Sequence, residues 1–292
     1  MREPPRHPLN ARRRMESGSR TPPWHRWLDA ASGAILLLLT ASFPWLFAGT
    51  VPWSRWVLCA AGGLLGLLLG AKHLIRLRQG YAPYRWLQPS GQGRWAVRGL
   101  AVLTVIYLDY LLLSWINARA ALQFGLRGVE ILYQPRGSLS LLPTTYDAPA
   151  TLRAACVTAA LALVFWSARD WLLGRSRRER HAGDAVYFPP ARMRSLLWTL
   201  CGSSAVLAVV SIAQRLDGTD QLLWALRVPQ WNQVRPVVPS AGVHVWGPFP
   251  SRAAGAAYFN LVWPVALGFW WSLRLSSLRR SGKNRRLGDD AS

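Results

Sequence analysis

Three arginines punctuate one polar connection late in the chain. They are Arg215 in Gln214-Arg215-Leu216-Asp217-Gly218-Thr219-Asp220, Arg235 in Arg235-Pro236-Val237-Val238-Pro239, and Arg252 closing Trp246-Gly247-Pro248-Phe249-Pro250-Ser251-Arg252. A guanidinium is always charged, and its planar fork matches the oxygens of a phosphate or diphosphate. The same residues can instead contact lipid headgroups or pair with Asp217 and Asp220. Two further polar residues lie inside apolar runs. Asp109, in Ile106-Tyr107-Leu108-Asp109-Tyr110-Leu111, is either a functional carboxyl or one held by a hydrogen bond to another helix. Asn260 reads first as packing glue between helices. His244 has no His or Cys neighbour at metal-ligand spacing, and nothing implies a metal or cofactor. His7, His25, His73 and His181 fall among basic residues and read as solvated.

The elements that must position these residues are apolar blocks. Six reach span length, at about 29–49, 53–71, 97–117, 151–173, 194–214 and 254–273. Charged residues make up 16% of the chain, against about 25% in a soluble domain. Lipid offers the backbone no hydrogen-bond partners, so continuous apolar runs of this length must be helices. A membrane barrel would need short alternating segments instead. The sequence therefore predicts an all-α polytopic membrane helix bundle of about six transmembrane helices. Residues 1–28 and 274–292 read as basic, disordered tails, and the long outer loops run over 118–150 and 215–253. Cys59, Cys156 and Cys201 are far apart and read as small buried hydrophobes.

Charge sets the expected orientation. Of the 35 Lys and Arg, 26 fall in the two tails and the connections 72–98 and 169–194, and 9 on the alternate side. The positive-inside rule makes the richer side cytoplasmic, with both termini there. The net charge of +22 is thus topology signal and contact with anionic headgroups. The arginines sit beside the apolar blocks and form no continuous groove-binding face, so no nucleic-acid partner is expected.

Three passages resemble the O-antigen ligase and O-antigen polymerase family of bacterial membrane glycosyltransferases. Thr145-Tyr146-Asp147-Ala148-Pro149-Ala150-Thr151-Leu152-Arg153 is similar to the stretch ahead of a mid-chain helix in that family. Ser211 through Asp220, with Leu223-Trp224, resembles a helix end and its following loop. Gly247 through Arg252, followed by Ala257-Tyr258-Phe259-Asn260-Leu261 and Pro264, looks like the start of the defining domain. Members often place Asn on each side of the matching arginine, whereas Ser251 and Ala253 flank Arg252 here. Members also usually carry more spans and a later outer loop with a functional His, which His244 does not match.

The resemblance implies transfer or polymerisation of an undecaprenyl-diphosphate-linked glycan at the outer face of the bacterial inner membrane. The acceptor would be lipid A–core or a growing polysaccharide. Arg252, Arg215 and Arg235 would hold the diphosphate, and no base is identified. The expected protein is a shortened or split member of that family, with a second membrane subunit as possible partner. The alternatives are a noncatalytic membrane scaffold and a transporter of lipid-linked glycan.

Overall fold

The computed structural model describes residues 21–46, 51–81, 83, 91–125, 128–133, 139, 141–175, 189–218, 221–224, 226–227, 246–249 and 252–289, with 91–92, 121–133, 221–222, 226–227, 252 and 279–289 described by backbone alone. Among these residues are six long helices, each with a stretch long and apolar enough to cross a membrane. They are α1 (Pro23–Ser42, continued by a 3-10 turn over Phe43–Trp45), α2 (Pro52–Gln79), α3 (Gly91–Ile116), α4 (Ala148–Leu172), α5 (Ala191–Asp217) and α6 (Arg252–Asp289). The chain is an all-α multi-pass membrane bundle. The end at which α1, α3 and α5 finish is called the loop end below, and the other the terminal end.

The boundaries follow local chemistry. Proline opens α1 and α2, at a position where its missing N–H costs nothing. Gly80 and Gly218 follow the last residues of α2 and α5 in the left-handed conformation that ends a helix. Asp147 caps α4 by accepting a hydrogen bond from the Ala150 N–H at 2.9 Å. Thr145 and Thr151 join that cap through hydroxyls 2.8 Å apart. The Thr145-to-Thr151 passage that carries part of the family resemblance is therefore also a helix-start signal.

Two ends differ from the sequence expectation. The first helix begins at Pro23, ahead of the apolar block at 29, and α6 continues through 274–289, where a disordered tail was expected. The loop between α3 and α4 also carries structure of its own. It contains an antiparallel hairpin, β1 (Ala120–Gly125) with β2 (Gly128–Tyr133). A smaller hairpin, β3 (Gln221–Leu222) with β4 (Leu226–Arg227), follows α5.

Helices α2 and α4 form the central pair, and α1 packs on both and on α5. Their approach is close because small residues line it. A Cβ added at Gly62 would lie 2.8 Å from the backbone of Ala160. In lipid, where apolar surface gains nothing from leaving water, such close backbone packing is a main source of helix association. Ser167 donates to the Leu65 carbonyl across the same seam at 3.1 Å. Leu36, Leu65 and Trp171 form the buried apolar centre. At the edges, α3 lies against α4, and α6 against α5.

Candidate functional site

The most elaborate polar structure lies at the terminal end, built from four helices. Lys72 of α2 is completely buried; its ammonium lies 3.1 Å from Asp170 of α4 and 3.6 Å from Asp29 of α1. Arg76, one turn beyond Lys72, grips Asp170 with both ends of its fork, at 2.9 and 2.8 Å. Arg192, at the start of α5, donates to Asp29 at 2.6 Å and to the Trp171 carbonyl at 2.7 Å. His25 is buried beside Arg76, at 3.4 Å, and stands edge-on to Tyr81.

Two carboxylates thus meet three basic side chains. Both Asp170 oxygens accept from Arg76, one of them also facing Lys72, which leaves this carboxylate poorly placed to serve as a base. A buried ion pair is costly to assemble and strongly destabilising when one partner is lost. The arrangement works as a clamp that fixes how α1, α2, α4 and α5 sit against one another. Sequence reasoning missed it. Lys72, Arg76 and Arg192 were read as topology charges, and His25 as solvated. The structure corrects the solvated reading of His25, and it places Lys72, Arg76 and Arg192 in ion pairs inside the bundle: α1 and α2 extend beyond the apolar blocks and α5 starts ahead of its own. The available signal was the presence of Asp29 and Asp170 at the margins of apolar blocks otherwise flanked by cations.

The loop end holds the arginines chosen from sequence. Arg215 lies in the last turn of α5, and Arg252 is the first residue of α6. Arg235 lies outside the described residues. The connection returns to the bundle through a tight turn in which Trp246 and Phe249 exchange backbone hydrogen bonds at 3.1 and 2.9 Å. Pro248 and Phe249 are fully buried. Gly247 has φ of +58°, and a Cβ there would collide with the Ser211 hydroxyl of α5. Glycine is thus required twice over, for conformation and for space. Phe249 then stacks against Tyr258 of α6, whose hydroxyl is 2.7 Å from Ser204 of α5.

Asp217 does not pair with an arginine in any described contact; it accepts from the Trp224 indole at 2.8 Å. Asp220 lies outside the described residues. His244 does as well, together with His7 and His181.

Asp109 and Asn260 make no hydrogen bond or ion pair with Arg215, the one of these arginines whose side chain is described. Both face outward, Asp109 from α3 and Asn260 from α6. Asp109 makes no hydrogen bond or ion pair with a described residue, so the expected alternative of a bond to another helix of this chain is not seen there. Cys156 is also exposed, and Cys59 and Cys201 are half-buried, so the three are not the fully buried hydrophobes expected. Among the described residues, no three of His, Cys, Asp and Glu converge as a metal site.

One polar centre at the loop end was not anticipated. The Asn117 side chain follows α3 and holds the succeeding loop. Its amide donates toward the carbonyls of Leu139, Leu142 and Pro143 at 3.0 to 3.3 Å, and its oxygen accepts from the Leu139 N–H at 2.8 Å. The neighbouring Arg119 Nε is buried without a hydrogen-bond partner among the described residues.

No family model, curated protein or solved structure matches the chain.

Proposed function

We propose that this chain handles undecaprenyl-diphosphate-linked glycan in the bacterial inner membrane, as a relative of the O-antigen ligases and polymerases. Both termini are cytoplasmic in this reading, and Arg215, Arg235 and Arg252 face the outer surface, where they bind the diphosphate. The acceptor is lipid A–core or a growing polysaccharide. One observation carries the reading. The Gly247–Phe249 turn, seated on α5, leads directly into α6, so Arg215 and Arg252 belong to the same end of one packed helix pair. Two arginines at a single membrane surface, beside the positive end of a helix dipole, suit a diphosphate. The chemistry needs cations on the leaving diphosphate and a base on the acceptor hydroxyl; the arginines supply the first.

A second reading, a noncatalytic membrane subunit of such a system, is favoured by the lipid-facing Asp109 and Asn260, polar groups that another transmembrane chain would satisfy. The discriminating experiment measures binding of a lipid-diphosphate glycan to the wild type and to Arg252→Lys in liposomes. A fork-shaped contact loses about tenfold in affinity on that substitution, whereas a headgroup anchor tolerates it. Equal binding by a folded Arg252→Lys protein removes the diphosphate role. A parallel transfer assay separates the readings: the purified chain alone is expected to bind the glycan without transferring it.

A further inference from the structure

Asp109 and Asn260 share more than exposure. Asp109 lies seven residues before the loop end of α3, and Asn260 eight residues after the start of α6 at that same end. At about 1.5 Å of rise per residue, both sit roughly 10 to 12 Å below the loop end. They occupy different flanks of the bundle, since α3 packs on α4 and α6 on α5. Neither is hydrogen-bonded to a described residue.

We propose that copies of this chain associate side by side in the membrane, with α3 of one copy against α6 of the next and Asp109 hydrogen-bonded to Asn260 of that neighbour. The groups are complementary. The Asn260 amide has two N–H donors, which a carboxyl oxygen accepts whether the acid is ionised or neutral. Pro264 stands four residues beyond Asn260 inside α6 and has no N–H to give to the Asn260 carbonyl. The neutral acid has an O–H to donate there, and in lipid no water competes for it.

Asp109 is surrounded by the exposed large side chains Val105, Ile106, Leu112 and Leu113. Asn260 is flanked by exposed Ala256 and Ala257 on the loop-end side and by exposed Trp263 and Pro264 on the other, so a facing helix can come close on the loop-end side. The two helices run in opposite directions, so Leu113 and Ala257 both lie on the loop-end side of the polar pair. Contact between unlike faces is heterologous and generates a ring or an open row. The proposal does not depend on the glycan reading.

The test uses the full chain in liposomes, with Cys59, Cys156 and Cys201 replaced by alanine. Two differently tagged forms are mixed, one carrying Leu113→Cys and the other Ala257→Cys, and oxidised. The expected result is a disulfide between unlike tags that persists on lipid dilution. It should fall about tenfold with Asp109→Leu or Asn260→Leu and survive Asp109→Asn, which keeps a donor and an acceptor. Unchanged thermal unfolding of the leucine variants shows that folding is intact, since both sites face lipid. Cross-linking between like Leu113→Cys copies, its absence between unlike copies, or indifference to the leucine substitutions each overturns the proposal.

Discussion

Lys72 and Asp170 meet at 3.1 Å across the seam between α2 and α4, with no part of the lysine side chain exposed and only 7% of the aspartate side chain. The same aspartate holds Arg76 through both of its oxygens, and the same lysine faces Asp29 on α1. A single pair thus links three helices, and Arg192 extends the link to a fourth. The consequence is that charges near the edge of this bundle contribute to its shape.

Replacing Lys72 by methionine removes one of the cations that face Asp29 and one that faces Asp170. Loss of one partner from a buried pair costs about 3 to 5 kcal/mol. Lys72→Met is therefore expected to unfold at much lower denaturant than wild type in detergent micelles. Arg78→Met, an exposed cation in the next turn, should stay within about 0.5 kcal/mol. Similar unfolding curves for the two variants would show that the cluster does not clamp the helices.

Gly62 and Gly63 are sequence neighbours with opposite surroundings. An added methyl at 62 lies 2.8 Å from the Ala160 backbone, while at 63 nothing stands within 4 Å. Gly62→Ala should force α2 and α4 apart and cost about 1 to 3 kcal/mol. Gly63→Ala should be neutral or stabilising by up to about 1 kcal/mol, through helix propensity. Unfolding measurements on the pair decide the matter without reference to function.

Asn117 is expected to control order in the segment that follows the first hairpin. Asn117→Ala removes the donors to Leu139, Leu142 and Pro143 and the acceptor for the Leu139 N–H. Losing satisfied buried bonds costs about 1 to 3 kcal/mol locally. Limited proteolysis of intact proteoliposomes should cut the variant faster near Leu141, with the helices unaffected. Equal cutting of both proteins would mean that the loop is held by something else.

The distribution of Lys and Arg, 26 against 9, predicts cytoplasmic termini. Reporter fusions after Arg286 should be active in the cytoplasm, and fusions near Gly137 and Ser240 outside it. A C-terminal fusion active outside the cytoplasm would invert the topology and remove Arg215, Arg235 and Arg252 from the surface at which glycan transfer is proposed.

The sequence by itself determined the helices. Each apolar block is long enough to cross lipid, and lipid leaves the backbone no other way to satisfy its N–H and C=O groups. The helix starts carry local signals, Asp147 and the prolines at 23 and 52, that apolar blocks beginning at 29, 53 and 151 do not mark. Tertiary structure alone decided which polar residues share a neighbourhood. Lys72 and Asp170 are nearly a hundred positions apart, and whether a cation at a helix edge turns outward to headgroups or inward to a carboxylate depends on the rotation of that helix against its neighbours. That rotation is set by close contacts such as Gly62 on Ala160, which leave only a weak trace in composition or periodicity. For the same reason the outward direction of Asp109 and Asn260 was not legible: a helix that is apolar all round has no sequence-encoded front, and only its packing partner gives it one.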